Sequence, residues 1–398
     1  MCSRLSARHV WVCLVWIGVI LITIIAPESV SAAGASGNTC DGQWHIAPAV
    51  DVTHQLGDFN SLGAVAAVSA NDVWAVGLFA NFAGNDYYKT LAEHYDGSRW
   101  RAVPMPKPAK PIAVLAGVSA TASDDVWAVG YEQDLRSGYR TLIEHWDGKA
   151  WSISLDGTQQ GWLNSVVAIA RDDVWAVGST DYIGFGLIEH WDGKTWTPTY
   201  FSGSIFLRAV TAINSHDVWA VGQFSHDGSG DYTYAAHFDG TGWSHVPTPS
   251  PLNKHNIDQN WLVSVTALTT DDVWAVGVVR DPDFGYLDRT LTEHWDGKKW
   301  SVISSPLLGH RVGNDLWAAV ALAPDNVWSV GALGVDPDLQ PLSEQWNGAN
   351  WSAVTPAGAD GILQGVTRVP SQTGLWAVGY RVKQNTYIGT LVEYLCGR

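Results

Sequence analysis

One hexapeptide, Asp-Val-Trp-Ala-Val-Gly, recurs along the chain and constrains the fold more than any other feature. Identical copies lie at residues 72–77, 125–130, 173–178, 217–222 and 272–277, and variants follow at 326–331 and 374–379. The successive central tryptophans are 53, 48, 44, 55, 54 and 48 residues apart. A period near 50 residues is typical of a chain built from repeated four-stranded units. The central tryptophans are Trp74, Trp127, Trp175, Trp219, Trp274, Trp328 and Trp376.

Each of the first six hexapeptides is followed by a second motif, which ends in Asp-Gly or Asn-Gly, two further residues and a tryptophan. The copy at 142–151 reads Leu-Ile-Glu-His-Trp-Asp-Gly-Lys-Ala-Trp, and the others lie at 91–100, 187–196, 234–243, 291–300 and 342–351. Asp-Gly and Asn-Gly favour a two-residue type I′ hairpin turn, in which both central residues have positive φ. We therefore expect four antiparallel strands per repeat. Strand a consists of small residues, strand b is Val-Trp-Ala-Val, strand c ends before Asp-Gly, and strand d begins at the last Trp.

The two ends of the chain complement each other. The seventh repeat ends at 391–396 without an Asp-Gly-x-x-Trp segment, and such a segment occurs instead at 41–44. The N-terminal segment is therefore predicted to supply strand d of the seventh repeat, which places Cys40 beside Cys396 and predicts a disulfide. Closure of such repeats into a ring gives a β-propeller. The sequence thus predicts an all-β fold, a seven-bladed β-propeller with four antiparallel strands per blade, closed by the N-terminal strand pairing into the last blade.

The predicted propeller is a single domain over residues 40–398, preceded by an export segment over residues 1–32. Arg4 and Arg8 form a positively charged start, residues 10–26 are apolar, and residues 30–32 are the small residues Val-Ser-Ala that precede cleavage. The apolar run is also long enough for an uncleaved anchor, which stays open as the alternative. We expect the propeller to be secreted and extracellular if the segment is cleaved, and membrane-anchored outside the cytoplasm if it is not. Its predicted blades span residues 61–104, 112–155, 162–202, 206–247, 261–304, 315–355, and 363–398 together with 40–46.

The repeat resembles that of the kelch and galactose-oxidase type of β-propeller, in which strand b also ends in glycine and an aromatic-Asp turn and a Trp follow. The resemblance covers the seven repeats from Cys40 to the C-terminus and implies the same architecture. Kelch repeats carry a Gly-Gly pair, whereas Gly77, Gly130 and their equivalents stand alone. The resemblance does not extend to the copper site of galactose oxidase. That site needs a Tyr cross-linked to a Cys, and Cys40 and Cys396 are both assigned to the disulfide. We therefore expect no copper cofactor.

The charge of the chain limits its partners. Its formal net charge is −16, and no cluster of Lys and Arg offers the positive face that nucleic acid or an anionic membrane surface requires. We expect a monomer with an extracellular glycan or protein ligand, no nucleic acid, and no membrane contact beyond the N-terminal anchor. Three acidic segments, at 227–231, 281–283 and 336–338, offer oxygen ligands for a structural calcium, with solvated acidic turns as the alternative.

The repeated Glu-His pairs of strand c invite a catalytic interpretation, which their repetition argues against. They occur at 93–94, 144–145, 189–190 and 293–294, and His237 follows Ala236 in the fourth repeat. Because these pairs belong to different blades, we predict a structural role, with the glutamates bonded to backbone or to a neighbouring blade. The Asp that precedes strand b is predicted to be structural too, bonded to its own backbone in the turn.

Residues that break the repeat indicate where a ligand would bind. The b–c and d–a connections share one face of the predicted propeller, the top face, and blades 4 to 6 bring most polar residues to it. Three aromatic residues stand 13 residues before their strand-b tryptophan, where the other blades have Ser61, Val114, Asp315 and Leu363. Aromatic rings beside polar groups favour a sugar ligand, with packing of the rings between blades as the alternative. The predicted ligand-binding residues are Trp162, Phe206, Trp261, His255, Asp258, Arg280, Asp283, His310 and Arg311.

Two functions follow from this pattern. The first is a non-catalytic propeller scaffold that binds an extracellular glycan, polymer or protein on its top face. The alternative is a carbohydrate-active hydrolase or lyase that uses loop carboxylates of blades 4 to 6, since glycoside hydrolysis requires a pair of carboxyl groups. No catalytic residue is assigned, because no catalytic constellation stands out from the repeats.

Overall fold

The computed structural model describes residues 40–55, 57–81, 86–134, 138–180, 184–225, 230–251, 259–281, 287–309, 312–335, 338–383 and 387–397. Every regular element in these ranges is a β-strand, which confirms the all-β prediction. Within the same ranges, no helix has the length and apolar character needed to cross a membrane.

The described residues form twenty-eight strands in chain order. The first fourteen are β1 (Trp44–Ile46), β2 (Phe59–Ser69), β3 (Asp72–Asn81), β4 (Asp86–Tyr95), β5 (Trp100–Val103), β6 (Ile112–Ala122), β7 (Asp125–Asp134), β8 (Gly138–Trp146), β9 (Trp151–Gln160), β10 (Trp162–Ala170), β11 (Asp173–Ser179), β12 (Gly186–Trp191), β13 (Trp196–Phe201) and β14 (Ser204–Asn214). The others are β15 (Asp217–Ser225), β16 (Asp231–Phe238), β17 (Trp243–Val246), β18 (Gln259–Thr269), β19 (Asp272–Asp281), β20 (Leu287–Trp295), β21 (Trp300–Val302), β22 (Gly313–Ala323), β23 (Asn326–Gly334), β24 (Gln340–Trp346), β25 (Trp351–Ala353), β26 (Ile362–Arg368), β27 (Leu375–Lys383) and β28 (Tyr387–Leu395).

The strands pair antiparallel in groups of four, here called units 1 to 7. Units 1 to 6 are β2–β5, β6–β9, β10–β13, β14–β17, β18–β21 and β22–β25, and unit 7 is β26–β28 followed by β1. Single parallel bridges link β28 to β2 and β16 to β18, so the units form five hydrogen-bonded sheets, two of them eight-stranded. The top-face end of each unit is the end where its first and third strands begin.

The N-terminal strand completes unit 7, as the complementary chain ends predict. In β1, Trp44 pairs with Leu395 and Ile46 pairs with Glu393 of β28. A disulfide joins Cys40 to Cys396, which confirms the predicted bond. The short strand is therefore held by hydrogen bonds and by a covalent link between the two ends of the described chain.

The glycine that ends each hexapeptide lies against a β-bulge in the first strand. In unit 1 the register shifts between Leu62 and Ala64, and Gly77 pairs with Leu62. A Cβ atom on Gly77 would meet the carbonyl oxygen of Ser61 well inside 3.0 Å, a separation that real Cβ atoms do not reach. All seven units have this arrangement. Unit 7 differs from the prediction by one residue. Leu363 pairs with Gly379, so Ile362 and not Leu363 is the equivalent of Ser61 in unit 1. The reason is that the turn before β27 is one residue longer than in the other units.

The Asp-Gly connections are not the predicted type I′ turns. Four residues, 96–99, separate the paired Tyr95 and Trp100 in unit 1. The Asp96 carboxylate accepts hydrogen bonds from the backbone N–H groups of Ser98 and Arg99, at 3.0 and 3.1 Å. Only the glycine has positive φ, since Ser371 is the single non-glycine residue with positive φ in the described ranges. Because these side-chain bonds hold a four-residue turn, the Asp does not adopt the left-handed backbone conformation that a type I′ turn requires.

Tryptophan pairs join each unit to the one before it. The Trp that begins the fourth strand packs edge-on against the hexapeptide Trp of the preceding unit, with ring centroids 5.4–5.9 Å apart and interplanar angles of 74–85°. T-shaped pairs of this kind add about 1 kcal/mol each beyond the burial of their surface. Trp44 occupies this place for unit 7. The pairs are Trp151–Trp74, Trp196–Trp127, Trp243–Trp175, Trp300–Trp219, Trp351–Trp274, Trp44–Trp328 and Trp100–Trp376.

Candidate functional site

The repeated histidines complete the packing of the hexapeptide tryptophans. In unit 1, His94 stacks on Trp74 with centroids 4.3 Å apart, and its Nε2 bonds to the Asp72 carboxylate at 2.8 Å. The prediction that this Asp bonds its own backbone is wrong, because the carboxylate faces a ring nitrogen across the sheet. The same bond recurs in four further units, so it is a structural device. These pairs are His145–Asp125, His190–Asp173, His237–Asp217 and His294–Asp272.

The third-strand glutamates form a second repeated feature. Six of the eight glutamates in the chain occupy this position, each at most 1% exposed, and unit 4 has Ala236 instead. They are Glu93, Glu144, Glu189, Glu293, Glu344 and Glu393. Burial raises the pKa of Glu93, Glu144 and Glu344 to about 8 and that of Glu189 to about 7.

The expected backbone partners are present for only some of these carboxyl groups. Glu93 accepts from Val50 N–H at 3.3 Å, and Glu393 accepts from the N–H groups of Ala357 and Gly358. Within the described residues, the carboxyl groups of Glu144, Glu293 and Glu344 have no hydrogen-bond partner, so the expectation is wrong for those three. Distributed over six units, the glutamates cannot form one catalytic site.

The three predicted aromatic residues contact the preceding unit. Trp162 packs against Tyr139 of unit 2 with centroids 5.4 Å apart, and Phe206 covers Gly184 of unit 3. Trp261 lies beside Arg208 of unit 4. Trp162 and Phe206 thus pack between units, and ligand binding by them stays a prediction. Five other predicted residues lie outside the described ranges: His255, Asp258, Asp283, His310 and Arg311.

Trp261 is the centre of a charged cluster at the top-face ends of units 4 to 6. The guanidinium carbon of Arg280 lies 5.3 Å from its ring centroid, and that of Arg208 lies 5.9 Å away. Arg280 bonds Asp288 through two nitrogens, at 2.6 and 2.8 Å, and Gln259 through the third, at 3.2 Å. Its donors are thus directed to neighbouring side chains.

Arg208 is bonded differently. Its Nε donates to Gln223 Oε1 at 2.7 Å, whereas its two terminal nitrogens donate no hydrogen bond within the described part of the chain. Burial lowers the pKa of its guanidinium, and the nearby charge of Asp231 opposes that shift. A planar guanidinium with both terminal groups unengaged suits a carboxylate or another oxyanion, which it can bind through two parallel hydrogen bonds.

Asp315 of unit 6 adds a titratable group to the cluster. Burial, and then the charge of Asp288, raise its pKa to about 6, against the opposing effects of the Trp317 indole and Arg280. Its Oδ1 is buried with no hydrogen-bond partner in the described ranges. When it is protonated below this pH, the carboxyl group can donate a hydrogen bond and no longer repels an anion.

Sequence reasoning identified Trp261 and Arg280 but missed Arg208. Arg208 occupies the bulge position of its first strand, which the other units fill with different residues. Because no residue recurs at this position, the available signal was a charged residue inside an otherwise uncharged strand. The equivalents are Gly63, Ala116, Asn164, Val263, Trp317 and Gln364.

Two other features stand apart from this cluster. A cavity of about 860 Å³ opens in unit 1, lined by Phe79, Lys89 and the segment 102–111, and none of the predicted site residues lines it. Among the described residues, no group of three His, Cys, Asp or Glu side chains is arranged to hold a metal ion. The acidic segments considered for calcium lie partly outside these residues.

The sequence matches no protein-family model and no curated protein. The chain is similar to solved structures of β-propellers. The structure titled "YCF48 bound to D1 peptide" is 18% identical, with 88% of this chain and 97% of that chain covered and a TM-score of 0.52. YCF48 from Cyanidioschyzon merolae is 13% identical, with 88% and 98% covered and a TM-score of 0.54. The WD40 repeats of RRP9 are 12% identical, with 90% and 98% covered and a TM-score of 0.57. At these identities the similarity shows the fold alone, a β-propeller of repeated four-stranded sheets.

Proposed function

We propose that the seven units are the blades of one closed β-propeller, as in the kelch-type architecture that the repeats resemble. Two observations support a ring. The tryptophan pairs link every unit to the one before it, including unit 1 to unit 7. The first strand of each unit also contacts that of the next, and β26 contacts β2. In this arrangement the top-face ends of all units meet around one axis.

The chain functions, in this proposal, as an exported monomeric scaffold that binds an extracellular ligand without catalysing a reaction. The single observation that carries it is the half-buried guanidinium of Arg208, which lies beside Trp261, the ring that Arg280 also contacts, and whose terminal nitrogens donate no hydrogen bond among the described residues. The ligand would present a carboxylate or another oxyanion, from an acidic glycan, another polymer or a protein. The charges of Arg208 and Arg280 balance those of Asp231 and Asp288, so protonation of Asp315 removes the remaining negative charge and lets the two guanidinium groups attract an anion although the whole chain is acidic.

The test is a screen of the secreted protein against an array of acidic and neutral glycans and acidic peptides. The hits are then measured by calorimetry for wild type, Arg208→Met and Trp261→Ala. We expect Arg208→Met to weaken binding about 10-fold or more, because it removes a charge-assisted hydrogen-bond donor. Arg171→Met is the matched control, since Arg171 is an exposed arginine paired with Asp124 at the opposite ends of the strands. Unchanged binding by Arg208→Met would refute the site.

Export is tested separately. Sequencing the N-terminus of the protein recovered from the culture medium should begin at Ala33 if residues 1–32 are a cleaved signal. Recovery only in the membrane fraction, with residue 1 retained, would instead support the anchor. Light scattering of the secreted protein checks the monomer.

A second candidate function, a carbohydrate-active hydrolase or lyase, has one observation in its favour. Asp288 is bonded by Arg280, whereas the neighbouring Asp315 has a pKa raised to about 6, and two carboxyl groups in unlike environments are what acid–base catalysis uses. Release of reducing ends from a polysaccharide by wild type but not by Asp315→Asn would establish the enzyme. No release at any pH from 4 to 8 would leave the binding function.

A further inference from the structure

A row of six aromatic side chains crosses units 7, 1, 2 and 3 at their top-face ends, away from the Trp261 cluster. It begins with Tyr380 near the end of a second strand, in unit 7. It ends with Trp162 at the start of a first strand, in unit 3. The members of this aromatic row are, in order, Tyr380, Phe59, Tyr88, Tyr131, Tyr139 and Trp162.

Neighbouring rings of the row contact one another within two groups of three. The centroids of Tyr380 and Phe59 lie 5.8 Å apart, and those of Phe59 and Tyr88 lie 6.2 Å apart. Tyr131 and Tyr139 lie at 5.0 Å with an interplanar angle of 82°, and Tyr139 and Trp162 at 5.4 Å with 69°. These contacts form two groups of three rings, Tyr380–Phe59–Tyr88 and Tyr131–Tyr139–Trp162. The edge-to-face contacts fix the rings before any ligand arrives, which lowers the entropy cost of binding.

The rings remain partly accessible. Tyr88 is 36% exposed, its neighbour Tyr87 is 52% exposed, and the other members are half-buried. Burial, with smaller effects of Tyr139 and Tyr88, raises the pKa of Tyr131 above its ordinary value of 10. This phenol therefore offers an uncharged hydroxyl group at neutral pH, next to an apolar ring.

We propose that the aromatic row binds a neutral carbohydrate chain. A sugar presents an apolar C–H face and a rim of hydroxyl groups, and it repeats both along the chain. Within each group of three, the row repeats apolar rings with centroids 5.0–6.2 Å apart, and four of its six members are tyrosines with hydroxyl groups. Aromatic rings recognise the first feature and hydroxyl groups the second. A protein partner with varied side chains would not call for this regularity. The row is a separate site from the Trp261 cluster, so the inference does not rest on Arg208.

The experiment is affinity electrophoresis of the full secreted protein in gels that contain soluble xylan, galactomannan or mixed-linkage glucan. We expect wild type to be retarded by at least one polymer and Tyr139→Ala to lose about 10-fold in affinity. Tyr139→Phe keeps the ring and should lose only about threefold, the loss of one hydrogen bond. The matched control is Tyr200→Ala, because Tyr200 is 50% exposed outside the row and bonds Gln159.

The outcomes separate this proposal from the first one. Retardation that persists in Arg208→Met and disappears in Tyr139→Ala supports the aromatic row independently of the charged cluster. If Tyr139→Ala secretes poorly, Tyr88→Ala replaces it, since the Tyr88 ring is more exposed. Absence of retardation of wild type by all three polymers, or full retention in both alanine variants, would overturn the proposal. Binding of acidic peptides alone would also overturn it while leaving the Arg208 site intact.

Discussion

Replacing Glu144 by Gln tests whether the buried glutamates are held protonated. Glu144 is fully buried, its carboxyl group has no hydrogen-bond partner among the described residues, and burial raises its pKa from 4.5 to about 8. The unfolded chain ionises this group above pH 4.5, whereas the folded protein keeps its proton up to about pH 8. Its contribution to stability is therefore fully present below pH 4.5 and is lost as the pH rises towards 8.

The magnitude follows from linkage. Between the two pKa values, each pH unit lowers the free energy of unfolding by about 1.4 kcal/mol per glutamate of this kind. From pH 5 to pH 7 Glu144 alone therefore costs about 3 kcal/mol, a cost that Glu144→Gln does not carry. Any effect of the amide itself on the free energy of unfolding is already present at pH 5. Relative to that difference at pH 5, the variant should gain about 3 kcal/mol over wild type at pH 7. Unit 4, which has Ala236 at this position, shows that a unit forms without the carboxyl group.

The assay is guanidinium unfolding of the secreted protein at pH 5, 6 and 7, with the disulfide intact. The control is Asp360→Asn, because Asp360 is an exposed carboxyl group whose replacement should leave the pH profile parallel to that of wild type. Parallel profiles for Glu144→Gln and wild type would show that Glu144 ionises in the folded protein. The reasoning from burial would then be wrong.

Three further predictions concern the bulge, the disulfide and the charged cluster. Gly130→Ala should destabilise the protein by about 3 kcal/mol or prevent secretion, because its Cβ would meet a backbone oxygen, whereas Gly242→Ala has open space and should unfold like wild type in thermal melts. The double variant Cys40→Ser, Cys396→Ser should have a free energy of unfolding about 5 kcal/mol lower than wild type in denaturant titrations. Reducing agent should destabilise wild type but not this variant, and destabilisation of the variant would contradict the disulfide assignment. Binding of a carboxylate ligand should weaken about threefold to tenfold as the pH rises through 6 and Asp315 ionises, and titration calorimetry should find this pH dependence absent in Asp315→Asn.

Several features of the charged cluster could be predicted from the sequence, and others could not. Trp261 and Arg280 were identified because they break the repeat at the top face. Arg208 occupies a position that differs in every unit, and its approach to Trp261 depends on a bulge that periodicity does not reveal. In the sequence Glu144 and Glu293 look like ordinary strand residues, and only the structure shows that their buried carboxyl groups have no hydrogen-bond partner among the described residues.

The repeat by itself determined the all-β class, the four strands of each unit and the pairing of the chain ends. These features are local or are counted along the chain. A hexapeptide and a turn recur with a period near 50 residues, and the Asp-Gly-x-x-Trp segment that the last repeat lacks occurs at the other end of the chain. The tertiary structure alone decided the four-residue turns, the His–Asp bonds across the sheet, the aromatic row and the guanidinium groups beside Trp261. The turns are local, but the Asp-Gly pair alone does not reveal the bonds from the Asp side chain that hold them. The other contacts join residues of different strands or units, so they depend on register shifts and on packing between neighbouring sheets, which no spacing along the sequence encodes.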